Sequence, residues 1–133
     1  MEEKIETYAY FFVADFECNP SEITKALELE PTEVTLKGQP LTNGRPRKRS
    51  SWKVHSSLSR EEPFQDAHLS NLVEKLLPKK QQIKEIASKF SVGINCVGYY
   101  KNVHPGFHLN KALIAQCAEL NLDIDFDLYN FSE

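Results

Sequence analysis

Apolar and polar residues alternate without a break from Leu122 to Tyr129. Leu122, Ile124, Phe126 and Leu128 interleave with Asp123, Asp125, Asp127 and Tyr129. Period two is the mark of a strand with one face buried and the other wet, whereas a helix would scatter the four apolar residues around its circumference. The chain is therefore expected to build a sheet with an apolar face, and the helical patterns upstream to cover it.

Those patterns follow in order. Thr7 to Phe16 sets Tyr8, Tyr10, Phe12, Ala14 and Phe16 on one side of a strand and Ala9, Phe11 and Val13 on the other. A strand apolar on both sides belongs in the middle of a sheet. Asn19 then reads as an N-cap, with Pro20 at the first helical position and Glu22 at the third. Ile23, Ala26 and Leu27 give this helix its inward stripe, and Pro31 is expected to end it. Glu33 to Lys37 is a second strand, Gly38 to Ser50 a long mobile loop, and Ser51 to Ser57 a third strand with Trp52 and Val54 on one side. Pro63 opens a helix in which Leu69, Leu72, Val73, Leu76 and Leu77 keep helical spacing until Pro78 breaks it. A second helix carries Ile83, Ile86, Ala87 and Phe90. Val92 to Tyr100 is the fourth strand, a turn follows around Pro105-Gly106, and Asn110 to Leu120 is a last helix burying Leu113, Ile114, Cys117 and Leu120.

The order β-α-β-β-α-α-β-α-β predicts a single α+β domain over residues 1–133. It contains the ferredoxin-like βαββαβ pattern extended by a C-terminal helix and strand, with helices on one face of a mainly antiparallel sheet. The stretch Asn19-Pro20-Ser21-Glu22-Ile23-Thr24, with Leu27, Glu30-Pro31-Thr32 and Lys37-Gly38, resembles the start of the bacterial family catalogued as domain of unknown function 4279. The resemblance continues through Trp52, Leu72 to Pro78, Gly98-Tyr99-Tyr100, Gly106-Phe107-His108-Leu109 and the final strand. It implies a small intracellular bacterial domain and brings no established activity, cofactor or catalytic residue. Glu28 departs from the pattern, since a glycine often closes the helix there.

Composition narrows the class. With 133 residues, 41% apolar and 11% aromatic, the chain can bury one core and is not disordered. It has no apolar run of membrane-spanning length, and its acidic start is not followed by the apolar stretch of a secretory signal. Three cysteines without a CxxC pair fit reduced thiols and a cytoplasmic location. The net charge of −3 hides a segregation: residues 34–60 hold seven bases and no acid, and the remainder holds all 19 acids against nine bases. A basic arm on an acidic body bears on partners or self-association.

Candidate chemistry is sparse. Arg45, Arg47, Lys48 and Arg49 beside Trp52 could neutralise phosphates while the indole stacks on a base, which makes nucleic-acid binding through residues 45–53 one alternative. The acidic balance of the whole and the strand alternation of Trp52 with Val54 weigh against it. Asp123, Asp125 and Asp127 lie too far apart along a strand to share one ion, about 6–7 Å from one to the next. His104, His108 and Cys96 lack the four-ligand spacing of a zinc site. A pocket between helices and sheet near Tyr99, Tyr100 and His108 would make the chain a small-ligand domain or an enzyme. No metal, cofactor or catalytic residue is assigned, and no membrane association is expected. The leading expectation is a non-enzymatic bacterial cytoplasmic module acting by protein–protein contact, with another protein or with itself. An immunity or inhibitor protein is one version, using the arginine loop or the three aspartates as the contact.

Overall fold

The computed structural model describes residues 2–104 and 106–131; Pro105, and with it the centre of the expected Pro-Gly turn, lies outside them. The chain runs β1 (Lys4–Ala14), α1 (Pro20–Leu27), β2 (Glu33–Thr35), β3 (Ser51–His55), α2 (Gln65–Leu76), a 3-10 turn (Leu77–Lys79), α3 (Lys80–Ala87), β4 (Ser91–Lys101), α4 (Lys111–Leu120) and β5 (Ile124–Phe131). The strands form one sheet in the order β2-β3-β1-β4-β5. The β2–β3, β3–β1 and β1–β4 pairs are antiparallel, and β5 joins β4 in parallel. This is an α+β fold on a mostly antiparallel sheet.

β1 is central, as its two apolar faces predict. Ala9, Phe11 and Val13 are buried, while Tyr8, Tyr10 and Phe12 are half-buried on the opposite side. Register places Trp52 beside Val13, Val54 beside Phe11, Ile94 beside Phe11 and Cys96 beside Ala9, so one face is apolar across three strands. Ile23 and Leu27 of α1, Leu69, Leu72, Val73 and Leu76 of α2, Ile83 and Ile86 of α3, and Leu113 and Leu120 of α4 close over it. Each such buried side chain contributes about 1.5–3 kcal/mol of apolar transfer, so this layer carries the stability. Gly98 leaves room for the Tyr100 ring, whose edge passes 2.5 Å from where a Cβ would stand.

Several local expectations are corrected. α1 ends at Leu27, not at Pro31, because Glu28 turns left-handed at φ 55° and its N–H donates to the Thr24 carbonyl. Glu28 thus does the work of the usual glycine. Ala26, Ala87 and Ile114 face solvent, and Ile114 is 54% exposed.

The larger correction concerns β5. It is an edge strand, and the helix layer stops short of it. Leu122 and Ile124 pack against the core, but Phe126 and Leu128 remain 41% and 40% exposed. The alternation of this segment made a strand, and its position at the edge left most of the apolar face uncovered.

Candidate functional site

With all four helices on one side, the other face of the sheet is open. Its residues alternate with the core residues. β1 offers Tyr8, Tyr10 and Phe12, β3 offers Lys53 and His55, β4 offers Asn95 and Tyr99, and β5 offers Asp125, Asp127 and Tyr129. His55 lies against both Tyr8 and Tyr10, with centroids 5.6 and 5.2 Å away, and the two tyrosine rings are 6.2 Å from each other. The Arg60 guanidinium lies 4.1 Å over the Tyr8 ring and the Lys53 ammonium 4.5 Å over Tyr10. The result is a cluster of three rings with a cation at either end, each cation favoured by the negative π face of the tyrosine beneath it. At the far side Tyr99 and Tyr129 stack at 5.0 Å.

Hydrogen bonds tie the cluster to the acidic edge. Asn95 Nδ2 donates to the Tyr10 hydroxyl at 2.9 Å and to Asp127 Oδ2 at 2.8 Å. Asn95 is thus a neighbouring-strand hydrogen-bond donor to Asp127, whose register partner is Val97. Burial pushes the Tyr8 and Tyr10 phenols upward, so both stay neutral near pH 7. Burial also lowers His55, opposed by the Glu33 carboxylate 3.7 Å away and reinforced by Arg60 and Lys53. Two buried polar atoms on this face, His55 Nε2 and Asn95 Oδ1, have no hydrogen bond among the described residues.

The remaining expected site residues scatter. Trp52 is 0% exposed, with Nε1 donating to Thr24 Oγ1 at 3.0 Å, so the expectation of an indole stacking on a ligand is withdrawn. The basic stretch is a small hairpin with its own hydrogen bonds. Gly38 N–H donates to the Arg47 carbonyl, Arg47 N–H to Gln39, and Leu41 N–H to Arg45, with Gly44 at φ 82° in the tip. Arg45 and Lys48 are exposed and Arg47 is half-buried. Arg49 is engaged, its fork meeting both oxygens of Asp15 at 2.7 and 2.6 Å. That pairing holds the Asp15 carboxyl below the usual carboxylate range. His108 is exposed on the connection before α4. Asp123, also exposed, precedes β5, and its carbonyl accepts the Ile94 N–H.

Tyr99 and Tyr100 do border a groove of about 580 Å³, together with Lys4, Glu6, Arg60 and Phe131. It opens at the end of the sheet, not between helices and sheet, and His108 does not line it. No three His, Cys, Asp or Glu side chains converge among the described residues in a way that could hold a metal. Cys96 is buried and its thiol is pushed up to about 12, which removes a thiolate nucleophile at neutral pH.

Sequence reasoning passed over one polar cluster. Ser56 Oγ lies 2.9 Å from His68 Nδ1, and His68 Nε2 lies 3.0 Å from the Glu62 carbonyl. A carbonyl can only accept, so Nε2 carries the proton and Nδ1 accepts from Ser56. Ser56 Oγ also takes the Ala9 N–H, and the Thr7 hydroxyl donates to Glu62. This serine–histidine pair resembles a nucleophile and its base, but His68 is 0% exposed and both groups are spent pinning residues 56–62 to β1 and α2. No signal in the sequence separates His68 from a surface histidine, apart from its position one residue before the apolar stripe.

Fold and site together define a small α+β domain presenting an open, ring-rich sheet face. The chain belongs to the family described as Domain of unknown function (DUF4279), which matches residues 5–131. No curated protein and no solved structure matches it. Among the described residues, no helix is long and apolar enough to cross a membrane.

Proposed function

We propose that this protein is a non-enzymatic binding module that works by protein–protein contact through the open face of its sheet. One observation carries the reading: rings, cations and carboxylates spread across the open face from β3 to β5, between a groove of about 300 Å³ lined by Tyr10, Lys53, Asn95 and Asp125 and the groove of about 580 Å³ beside Tyr99 and Arg60. Surfaces rich in tyrosine and arginine are where protein interfaces concentrate their energy. An immunity or inhibitor protein in the bacterial cytoplasm is one concrete form, and three unpaired cysteines suit such a compartment. We also read the first four strands as a ferredoxin-like unit extended by α4 and β5; their order β2-β3-β1-β4 with antiparallel neighbours supports this.

The test is capture of partners by the tagged protein from its source lysate, with and without nuclease. One stoichiometric protein should survive nuclease and be lost on Tyr10→Ala with Tyr99→Ala, while the melting temperature changes by only a few degrees. A partner kept by that variant but lost on Arg45→Glu with Arg47→Glu moves the contact to the basic hairpin. Nucleic acid that disappears with nuclease favours the alternative reading of residues 45–53 instead.

A further inference from the structure

We propose that the free edge of β5 takes up an extended segment of another protein as a sixth strand, one whose apolar residues alternate with lysines or arginines. The inference rests on reading the protein as a protein-binding module. It adds where the partner's backbone attaches and what that segment is made of.

The edge is open for pairing. β5 ends the sheet and pairs with β4. The Asp123 carbonyl accepts the Ile94 N–H, and the Phe131 carbonyl accepts the Asn102 N–H. In a parallel pair each residue turns its N–H and C=O to the same side. The odd-numbered residues from Asp123 to Phe131 therefore face β4, and Ile124, Phe126, Leu128 and Asn130 turn their backbone groups outward. Among the described residues, no backbone group meets those four on the outer side. Such a row of unpaired groups is a template for an added strand.

The side chains flanking the edge define what fits. On the helix side, register sets Phe126 beside Cys96 and Leu128 beside Gly98. Helix α4 packs on α2 and α3 and leaves both exposed, with the Phe107 ring edge-on to Phe126 at 5.8 Å. On the opposite side Asp125 and Asp127 stand beside Asn95 and Val97. A sixth strand lays its residues alternately beside these two sets. Apolar residues cover Phe126 and Leu128, and cations meet the carboxylates.

The same carboxylates exclude a second copy of the chain. Antiparallel pairing of β5 with its own copy, over most of its length, sets Asp127 opposite or diagonal to the copy's Asp125 or Asp127. Like charges oppose that arrangement. The β2 edge of a copy offers three residues, one of them Glu33. Charge at an edge guards against self-pairing, and here it leaves a basic strand as the complement.

The experiment titrates the full chain with three fluorescent peptides matched in length to β5. One alternates valine and lysine, one alternates valine and glutamate, and the third carries the residues of the first in two blocks. Binding is read by anisotropy, attachment by amide hydrogen exchange, and folding by circular dichroism. The alternating lysine peptide should bind about tenfold or more tighter than either other, and should slow exchange at Phe126, Leu128 and Asn130. Leu128→Pro removes an outward N–H without touching the β4 ladder, and should weaken that peptide by about tenfold or more. Asp125→Lys with Asp127→Lys probes the same contact with no backbone change, and should transfer the preference to the glutamate peptide. Equal binding of alternating and blocked peptides, unslowed exchange at those amides, or a folded Leu128→Pro protein that binds as wild type would each overturn the proposal. A lysate partner lost on Tyr10→Ala with Tyr99→Ala, but kept by both edge variants, removes the edge and leaves the open face standing. A partner lost on the edge variants alone removes the open face and leaves the edge.

Discussion

His55 is held by two tyrosine rings with a guanidinium and an ammonium close by. Burial, and then these cations, lower its proton affinity below the ordinary value of 6.5, against the pull of Glu33. As pH falls, the unfolded chain therefore takes up the proton first. Stability is whole above about pH 6.5 and declines below it toward the folded value. The melting temperature should drop between pH 7.5 and 5.5, and His55→Phe, which keeps the ring stack but cannot titrate, should flatten that slope. An unchanged slope in the variant would place the titration elsewhere. Trp52 shows the opposite use of an aromatic: in the same strand, three residues earlier, it is wholly internal and anchored by Thr24.

At the scale of elements, Glu28 is the clearest compromise. A side chain in the left-handed region costs about 1–2 kcal/mol, while its exposed ion pair with Lys79, at 3.0 Å, returns at most about 1 kcal/mol. Glu28→Gly should therefore raise stability by about 0.5–1 kcal/mol in urea denaturation, after the extra freedom of glycine in the unfolded chain is deducted. Where the sequence was legible at this scale, the reason was local chemistry. Asn19 caps α1 through Ser21, Asn110 caps α4 through Leu113, and the apolar stripe of α2 from Leu69 to Leu76 is buried. What was not legible depends on neighbours far along the chain. Period two in β5 says which residues share a face, but not whether a helix reaches that face. Likewise Tyr8, Tyr10 and Phe12 looked like one of two equivalent sides of β1. Only the placement of four helices on the other side left them open. Arg60 and Asn95 join the site through a loop and a strand that no motif connects.

Taken whole, the molecule is an electrostatic pair held apart by its own sheet, with the basic hairpin at the β2 edge and the acidic strand at the β5 edge. Charges this exposed act over about 10 Å at 0.1 M salt and hardly at all at 1 M. Raising sodium chloride from 50 to 500 mM should therefore weaken capture of a partner held through either edge by about tenfold or more, measured by the amount retained on the tagged protein. The melting temperature of the protein, set by the apolar layer, should move little. Capture insensitive to salt would mean that the rings alone hold the partner. The charge segregation was plain in the sequence, but its arrangement across opposite edges depends on strand order, which composition does not reveal.

The central place of β1 also has a consequence in time. It is the first strand to be made, yet Lys4 waits for Lys101 and Ala14 for Ser91. At about 5–20 residues per second of synthesis, that delay is on the order of 5–20 s. Throughout it, a segment with Ala9, Phe11 and Val13 on one side and Tyr8, Tyr10 and Phe12 on the other has no finished sheet to enter. β1 is thus a sticky segment of the nascent chain that only β4 can retire, which makes it the stretch a chaperone would hold. Circular permutation that brings β4 next to β1 should shorten that exposure.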